Sequence, residues 1–341
     1  SESALPAFGV ARRDDLIQRQ YLRALLEGFN PAHPGHVPGL NPASGLYDGF
    51  MVEPGRIYLY AWDARPYPAF PANASVWSDA GNWTFGHWLN GRLTASSLDE
   101  VVALMLADFG FSDFEADGLL GIVPGYVVER IMSARDALSP LELAYFFDAI
   151  ESGGQIRFRH RGLQGPVMTI DAQSAVETSA GAALVTLTRG QETELPRAVK
   201  LRYVADTGDY RQLAIESRRL PGTSARISTA TLPLMLDGGQ ASAIADAWLH
   251  ETWVARERAK FALPPSAIGL EPGDVVEVLH GGRRQNMRIV EVAEDRSRGI
   301  EARATDREVY RPARPIARGM EAAAVPVIGT AEAAFLDLPL L

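Results

Sequence analysis

The chain has 341 residues, a hydrophobic fraction of 47%, a charged fraction of 22% and a formal net charge of −9. These values are typical of a globular protein of two or three domains and argue against wholesale disorder. Because the chain has no cysteine, disulfides, thiol catalysis and cysteine-ligated metal sites are excluded. No apolar run reaches the roughly 20 residues of a membrane-spanning helix, and no signal peptide is visible at the start.

The negative charge is concentrated in the first half of the chain. Residues 1–155 carry 9 basic and 19 acidic side chains, whereas the remainder carries 24 and 23. A nucleic-acid-binding protein normally shows a basic domain or stripe, and neither half does. The acidic surface would suit a wall past which DNA slides without binding, or it serves only to keep the protein in solution.

The first elements are a helix, a long loop and an apolar strand. Asp14 or Asp15 is a candidate N-cap for a helix that ends before Pro31. Its apolar residues recur at helical spacing: Leu16, Ile17, Tyr21, Leu22, Leu25, Leu26 and Phe29. Residues 30–56 are rich in proline, glycine and asparagine, which predicts an irregular loop. The nearly continuous apolar run from Arg56 to Trp62 predicts a strand buried on both faces.

Residues 72–97 form an aromatic and polar stretch that contains Trp77, Trp83 and Trp88. Tryptophan rings can stack on the apolar faces of sugars while neighbouring amides bind the hydroxyl groups, which makes these three residues candidates for carbohydrate binding. The alternative is that they are packing anchors of a short, sparsely structured segment.

The next block predicts two helices and a β-hairpin. A helix runs from Leu98 to about Phe109, with Ser97 and Glu100 at the spacing of a capping box. A second helix begins after Ser133, with Pro140 a residue that could break or kink it. Strands over 145–151 and 155–161 flank a Ser-Gly-Gly turn, and the second strand alternates strictly. Its apolar face is expected to be dry and its basic face wet, with these arginines on the wet face: Arg157, Arg159 and Arg161.

Residues 162–236 are rich in predicted strands. Asp237 is expected to cap a long helix, with Gln240 three positions on. Residues 263–310 show short alternating strands with glycine-containing turns, which predicts a small β-barrel or the continuation of a sheet. The last thirty residues are rich in alanine and proline and are typical of a linker.

The strongest candidate for enzyme chemistry is a glycoside hydrolase built on Asp63. It follows the predicted strand, where a barrel presents its active site, and Glu53 is the nearest second carboxylate in the sequence. The reaction needs two carboxyl groups roughly 5 to 10 Å apart, and a complete barrel needs about 250 residues. The alternative is that Asp63 pairs with Arg65 or caps the following turn, and we expect no catalytic residue.

Metal and phosphate sites find little support in the sequence. The six histidines are scattered, with His33 and His36 in a loop that offers no third ligand, and zinc needs three or four converging ligands. We therefore expect neither a metal nor a cofactor. The Gly281–Arg284 turn could contact phosphate, or it is simply the charged end of a hairpin.

Two passages near the start resemble a known family. Tyr60–Pro71 and Gly86–Arg92 read YAWDARPYPAFP and GHWLNGR and resemble the end of the TIM-barrel-like domain of the gene-transfer-agent baseplate "megatron". Ser3–Pro6 and Arg13–Arg19 resemble the late barrel region of the same domain. The early barrel strands of that family are absent from this sequence.

The middle and end of the chain resemble the phage tail-protein domain that follows in that family. The similarity is carried by three passages: Ser133–Leu138, the Phe147–Phe158 hairpin, and Val254–Arg258 leading to Leu270–Val276. The resemblance implies an α+β fold: a remnant of a TIM-barrel-like domain, then a β-rich phage tail-hub domain with barrel-like subdomains. We assign the domains as follows: 1–75 barrel remnant, 76–97 aromatic linker, 98–318 hub domain including the small barrel at 263–310, and 319–341 linker.

The resemblance also implies a non-enzymatic role in a virion or gene-transfer-agent particle made in the bacterial cytoplasm. The chain would form a ring, as a homotrimer, that connects tail tube to tail tip and lets DNA pass without specific binding. Its other partners would be the distal tail and hub proteins and the bacterial cell envelope. The rival hypotheses are a cell-wall glycoside hydrolase and a carbohydrate-binding module that recognises a receptor.

Overall fold

The computed structural model describes residues 13–60, 63–66, 69–85, 95–206, 210–220, 222 and 224–310. The chain divides into two compact units, whose described parts are residues 13–85 and residues 95–310. None of the helices in these ranges is long and apolar enough to cross a membrane.

The first unit contains the helices α1 (Asp15–Gly28) and α2 (Ala69–Ala72). Helix α1 begins where the sequence predicts, because the Asp14 carboxylate accepts a hydrogen bond of 3.0 Å from the Ile17 amide. The loop after α1 is organised by the buried side chain of Asn41, which donates to the carbonyls of Phe29 and Val52. Buried amide groups of this kind fix a loop because they replace lost hydrogen bonds to water.

The strand predicted over Arg56–Trp62 is wrong for its described residues. Residues 57–60 are in neither helix nor strand, and Tyr58 is 83% exposed; residues 61–62 lie outside the description. A buried strand needs hydrogen-bonded neighbours on both edges. The described part of this unit has only a single bridge, between Ala43 and Phe50.

Within residues 95–206, 210–220, 222 and 224–310, the second unit combines three long helices with four sheets. The helices are α3 (Leu98–Asp108), α4 (Ala134–Tyr145) and α5 (Gly238–Val254). The strands are β1 (Ser96–Ser97), β2 (Phe114–Glu115), β3 (Ile122–Val123), β4 (Phe147–Ser152), β5 (Gln155–His160), β6 (Met168–Ile170), β7 (Val185–Arg189), β8 (Pro196–Ala205), β9 (Gln212–Arg218), β10 (Arg226–Leu236), β11 (Glu257–Leu263), β12 (Val275–His280), β13 (Arg283–Glu294) and β14 (Arg298–Ala304).

A three-stranded sheet in the order β10–β8–β9 packs against α5 and α4. Strand β8 is parallel to β10 and antiparallel to β9. The core between them includes Leu201, Leu234 and Ala241, and the buried indole of Trp253 donates a 2.8 Å hydrogen bond to the Pro196 carbonyl. Burial of such large apolar side chains is the main stabilising term in this layer.

The predicted hairpin is confirmed as β4 and β5, which pair antiparallel while β2 adds a parallel strand to β5. Gly153 and Gly154 form its turn with φ angles of 61° and 81°, a region that glycine enters without steric cost. The two short strands β1 and β3 form a further antiparallel pair.

A six-stranded sheet in the order β6–β12–β13–β14–β11–β7 forms the second large layer. Its edge strands contribute Ile170 and Val185 to one buried cluster that also contains Met287 and Ile300. The sheet therefore curves around a shared core as a half-barrel, which confirms the barrel-like subdomain. The sheet takes in β6, β7 and β11 as well as the strands predicted within residues 263–310.

Three predictions about helices have different outcomes. Helix α5 has the predicted capping box between Asp237 and Gln240. Ser97 makes no side-chain capping bond, so the capping box predicted for α3 is wrong. Helix α4 continues through Pro140, although proline lacks the amide that would bond to the preceding turn.

Candidate functional site

The aromatic residues predicted to bind carbohydrate are used in packing where the structure describes them. The rings of Trp77 and Trp83 meet the buried ring of Phe70 edge-on, with centroids 5.8 and 5.9 Å apart. Edge-to-face pairs of this kind stabilise a small core. Trp88 lies outside the described residues. Carbohydrate binding by these tryptophans therefore stays a prediction, and the packing role is the one that the contacts support.

Asp63 pairs with Arg65, which is the alternative considered for it above. The Arg65 guanidinium donates to both carboxylate oxygens of Asp63, bonds Asp79 at 2.8 Å, and lies 3.5 Å over the ring of Phe70. The hydrogen bond from Arg65 lowers the pKa of Asp63, whereas a glycosidase acid needs a raised one. Glu53, the proposed second carboxylate, instead accepts a bond from the Gly55 amide.

His36 and His160 bind backbone atoms. His36 lies 2.8 Å from the Gly28 carbonyl, and His160 lies between the Leu120 amide and the Tyr145 carbonyl. Over the described ranges, no three histidine or carboxylate side chains are grouped as metal ligands would be.

A cleft of about 960 Å³ lies in the second unit. Its walls come from the β4–β5 hairpin, helix α5, the half-barrel sheet and the segment after β7. Seven arginines line it: Arg161, Arg189, Arg226, Arg256, Arg258, Arg288 and Arg303. Among the residues that the structure describes, three carboxylates share the same walls: Asp148, Glu194 and Glu251. The cleft is therefore cationic within a chain whose net charge is negative.

Strand register places three of these arginines in a row across the half-barrel sheet. Arg258 on β11 lies opposite Arg303 on β14, and Arg303 lies opposite Arg288 on β13. Their sequence neighbours Ala259, Ala302 and Met287 are buried, so alternation along each strand turns the arginines away from the core. Like charges directly opposite one another destabilise a sheet, so this row needs anionic partners.

The floor of the cleft is a network of ion pairs. The Asp148 carboxylate accepts hydrogen bonds from both Arg161 and Arg288, and Arg161 also lies 3.2 Å from Glu251. The Tyr310 hydroxyl donates to Glu251 at 2.7 Å. Although desolvation opposes its charge, Glu251 and Asp148 raise the pKa of Arg161. Shared carboxylates of this kind hold partly buried guanidiniums in fixed positions.

Gly162 leaves room for the ring of Tyr310, whose hydroxyl belongs to this network. Gly162 has a φ of 79°, and a Cβ at this position would overlap the ring of Tyr310. The glycine therefore lets the tyrosine lie against the chain that leads out of β5.

Two arginines in the row are left for an external anion. Within the described residues, neither Arg258 nor Arg303 forms an ion pair, and both are exposed. Desolvation by the walls of the cleft and the charges of Arg258 and Arg288 lower the pKa of Arg303. Guanidinium groups bind carboxylates and phosphates with two parallel hydrogen bonds, and an anion at this position would relieve the repulsion.

Neither this cleft nor the pairing of the arginines on the strand that borders it was predicted from the sequence. The predicted wet face of β5 is wrong, because Arg157, Arg159 and Arg161 are half-buried and pair with carboxylates. The row on the half-barrel sheet comes from three strands, and only their pairing brings it together. The alternation of arginine with buried residues along β13 and β14 was the available signal.

Two family models match parts of this chain. Residues 1–71 match the family model of the GTA TIM-barrel-like domain, where GTA denotes a gene transfer agent. Residues 133–292 match the family model of a putative phage tail protein. Both resemblances found in the sequence are thereby confirmed, and so is the fold class, a TIM-barrel-like remnant followed by a β-rich tail-protein domain.

A solved structure of a gene-transfer-agent virion contains a similar chain. That chain, from the "virion of native gene transfer agent (GTA) particle", is 34% identical, with a TM-score of 0.64. The alignment covers 70% of this chain and 54% of that chain, so this chain spans about half the length of its relative. The chain is thus similar to a structural component of a phage-like virion.

Other solved structures are more distant. The 43 kDa tail protein of prophage MuSo2 from Shewanella oneidensis is 12% identical, with a TM-score of 0.43, over 64% of this chain and 69% of its own. A chain of the phage P2 baseplate is 11% identical, with a TM-score of 0.20, over 52% of this chain and 55% of its own. The search of curated proteins gave no match.

Proposed function

We propose that this chain is a non-enzymatic structural component of a phage-like tail tip, where copies of it form a ring that connects tail tube to tip and lets DNA pass. The observation that carries this proposal is the 34% identity and TM-score of 0.64 with a chain of a gene-transfer-agent virion. At this identity the fold is shared over the aligned 70% of the chain, and a shared position in the particle is the simplest reason for it.

The edges of the sheets support a role in assembly. Strand β9 forms one edge of its sheet, and most of its side chains are exposed, including Leu213 at 46%. Strand β7 forms an edge of the half-barrel and exposes Leu187. An exposed edge offers unpaired backbone groups to a strand of another subunit, which suits a protein that is completed by its neighbours.

The charge distribution supports passage of DNA without specific binding. The first 155 residues carry an excess of ten acidic side chains, which repel phosphate. The expected partners are further copies of the chain in a homotrimer, the distal tail and hub proteins, and the bacterial cell envelope. The expected location is the tail tip of a virion or gene-transfer-agent particle that is made in the bacterial cytoplasm.

Immunogold electron microscopy of purified particles tests this proposal. An antibody raised against the purified chain should label the distal end of the tail, and antibody adsorbed beforehand with the chain should label nothing. Label confined to the capsid, or particles that never bind the antibody, would contradict a place in the tail tip.

A further inference from the structure

A strongly acidic surface segment accompanies the arginine-lined cleft on the same unit. Residues 93–129 contain seven aspartates and glutamates and no lysine or arginine. Asp108, Asp113 and Asp117 lie between the end of α3 and β3, and all three are exposed. In the part of the chain that the structure describes, none of these three forms an ion pair, whereas Glu115 pairs with Arg157 at 2.9 Å.

The cleft offers the complementary charge at a defined position. Arg258 and Arg303 lie directly opposite one another on β11 and β14 and are exposed to the cleft. Arg288, next in the row, is already bound to Asp148. The cleft therefore presents two adjacent guanidiniums whose mutual repulsion an incoming pair of carboxylates would remove.

We propose that the acidic segment 108–117 of one copy docks into the arginine-lined cleft of the next copy. This inference rests on the proposed ring and names the contact that would build it. Because the acidic segment and the cleft are different surfaces of one chain, the contact is heterologous, and its repetition closes a ring when the rotation fits.

The composition of both surfaces favours a protein segment over a nucleic acid. Asp148, Glu194 and Glu251 interrupt the positive charge along the walls of the cleft. A continuous phosphate backbone would meet them, whereas a segment with a few separate carboxylates can place these beside Arg258 and Arg303 alone. Phe109 and Phe111, beside the acidic residues, are 46% and 36% exposed. Arginine binds carboxylates in a bidentate manner and also stacks on aromatic faces, so a segment that alternates the two suits this cleft.

Site-specific cross-linking tests the contact. The chain has no cysteine, so the double variant Ser112→Cys/Thr188→Cys carries only the two thiols of interest and keeps the charged residues. Ser112 adjoins Asp113, and Thr188 is exposed on the cleft opposite Arg258. A short bifunctional thiol reagent should join the full-length chains into a ladder of dimers and higher species. The matched control is Ser112→Cys/Arg284→Cys, because Arg284 is exposed on β13 and does not line the cleft. Equal yields from the two variants would overturn the docking.

Charge reversal separates this inference from the proposed function. We expect Arg258→Glu/Arg303→Glu to weaken self-association at least tenfold in sedimentation experiments, and Arg283→Glu/Arg284→Glu to leave it unchanged. Adding Asp113→Arg/Asp117→Arg to the cleft variant should restore association, because the charges are then exchanged.

Unchanged association of the cleft variant would overturn the docking but not the place in the tail tip, which immunogold labelling tests independently. Loss of binding to a double-stranded DNA fragment with association unchanged would identify a nucleic acid as the occupant and also overturn it.

Discussion

Asp148 is the residue on which the cleft depends most. Its carboxylate binds Arg161 and Arg288 at once, and so links the β4–β5 hairpin to the half-barrel sheet. Its side chain is 24% exposed, and those of the two arginines 16% each. Removing a carboxylate from such a partly buried network leaves guanidinium charges uncompensated. The free energy of unfolding therefore falls by more than it does when a surface ion pair is lost.

The first prediction concerns this shared carboxylate. We expect Asp148→Ala to lower the free energy of unfolding by about 2 kcal/mol, below the range for fully buried pairs because the network retains some solvent. Urea denaturation followed by circular dichroism measures the change. Asp295→Ala, in the exposed turn between β13 and β14, is the control and should change stability by less than about 0.5 kcal/mol. Equal effects of the two substitutions would contradict the network.

A second prediction concerns Glu142 on α4, which is half-buried. Desolvation raises the pKa of its carboxyl above the ordinary value of 4.5, although Arg161 opposes the shift. Just above pH 4.5 the folded state therefore holds more protons at this site than the unfolded state. The contribution of Glu142 to stability consequently falls as pH rises through the raised pKa.

Glu142→Gln should remove the loss of stability that ionisation of Glu142 causes in the folded state. We expect the variant to be more stable than the wild type at pH 7, with a shallower decline in stability as pH rises from about 4.5 to 7. Thermal unfolding at a series of pH values measures both effects. A variant that is less stable than the wild type at pH 7 would show that the charged form of Glu142 is favoured in the fold.

At the scale of elements, helix capping gives the third prediction. The Asp237 side chain accepts a hydrogen bond of 2.7 Å from the Gln240 amide, whereas Ser97 occupies the same position on α3 without such a bond. Asp237→Ala should therefore cost about 1 kcal/mol of stability, and the matched Ser97→Ala much less. Both are measured by urea denaturation, and a larger loss from Ser97→Ala would contradict the assigned caps.

The elements predicted well from the sequence are those specified by neighbouring residues. Helix α5 follows from its capping box, and the β4–β5 hairpin from strict alternation around a Gly-Gly turn. Local signals of this kind need no knowledge of the rest of the chain.

The wrong predictions depend on partners that are distant in sequence. Arg159 pairs with Asp274, 115 residues further along the chain, and Arg161 pairs with Glu251, 90 residues further along. The pattern within β5 therefore gives no sign that its basic face is paired. The predicted strand at Arg56–Trp62 lacks strand neighbours within the described residues. The arginine row likewise depends on the register of β11, β14 and β13, which no local pattern specifies.

At the scale of the whole molecule, the second unit carries surfaces of opposite charge on one chain. The acidic segment lies within residues 93–129, and the cationic cleft is formed by strands from the second half of the sequence. Together with the exposed edge strands β7 and β9, these surfaces are the basis for the proposal that copies of the chain bind one another.

The central claim is that this chain assembles with itself, and its mass in solution tests that claim most directly. Sedimentation equilibrium of the purified chain should give a closed species of three copies of the 37.0 kDa subunit, with association weakened by added salt because charged surfaces meet. A mass of 37.0 kDa at every concentration and ionic strength would contradict the account.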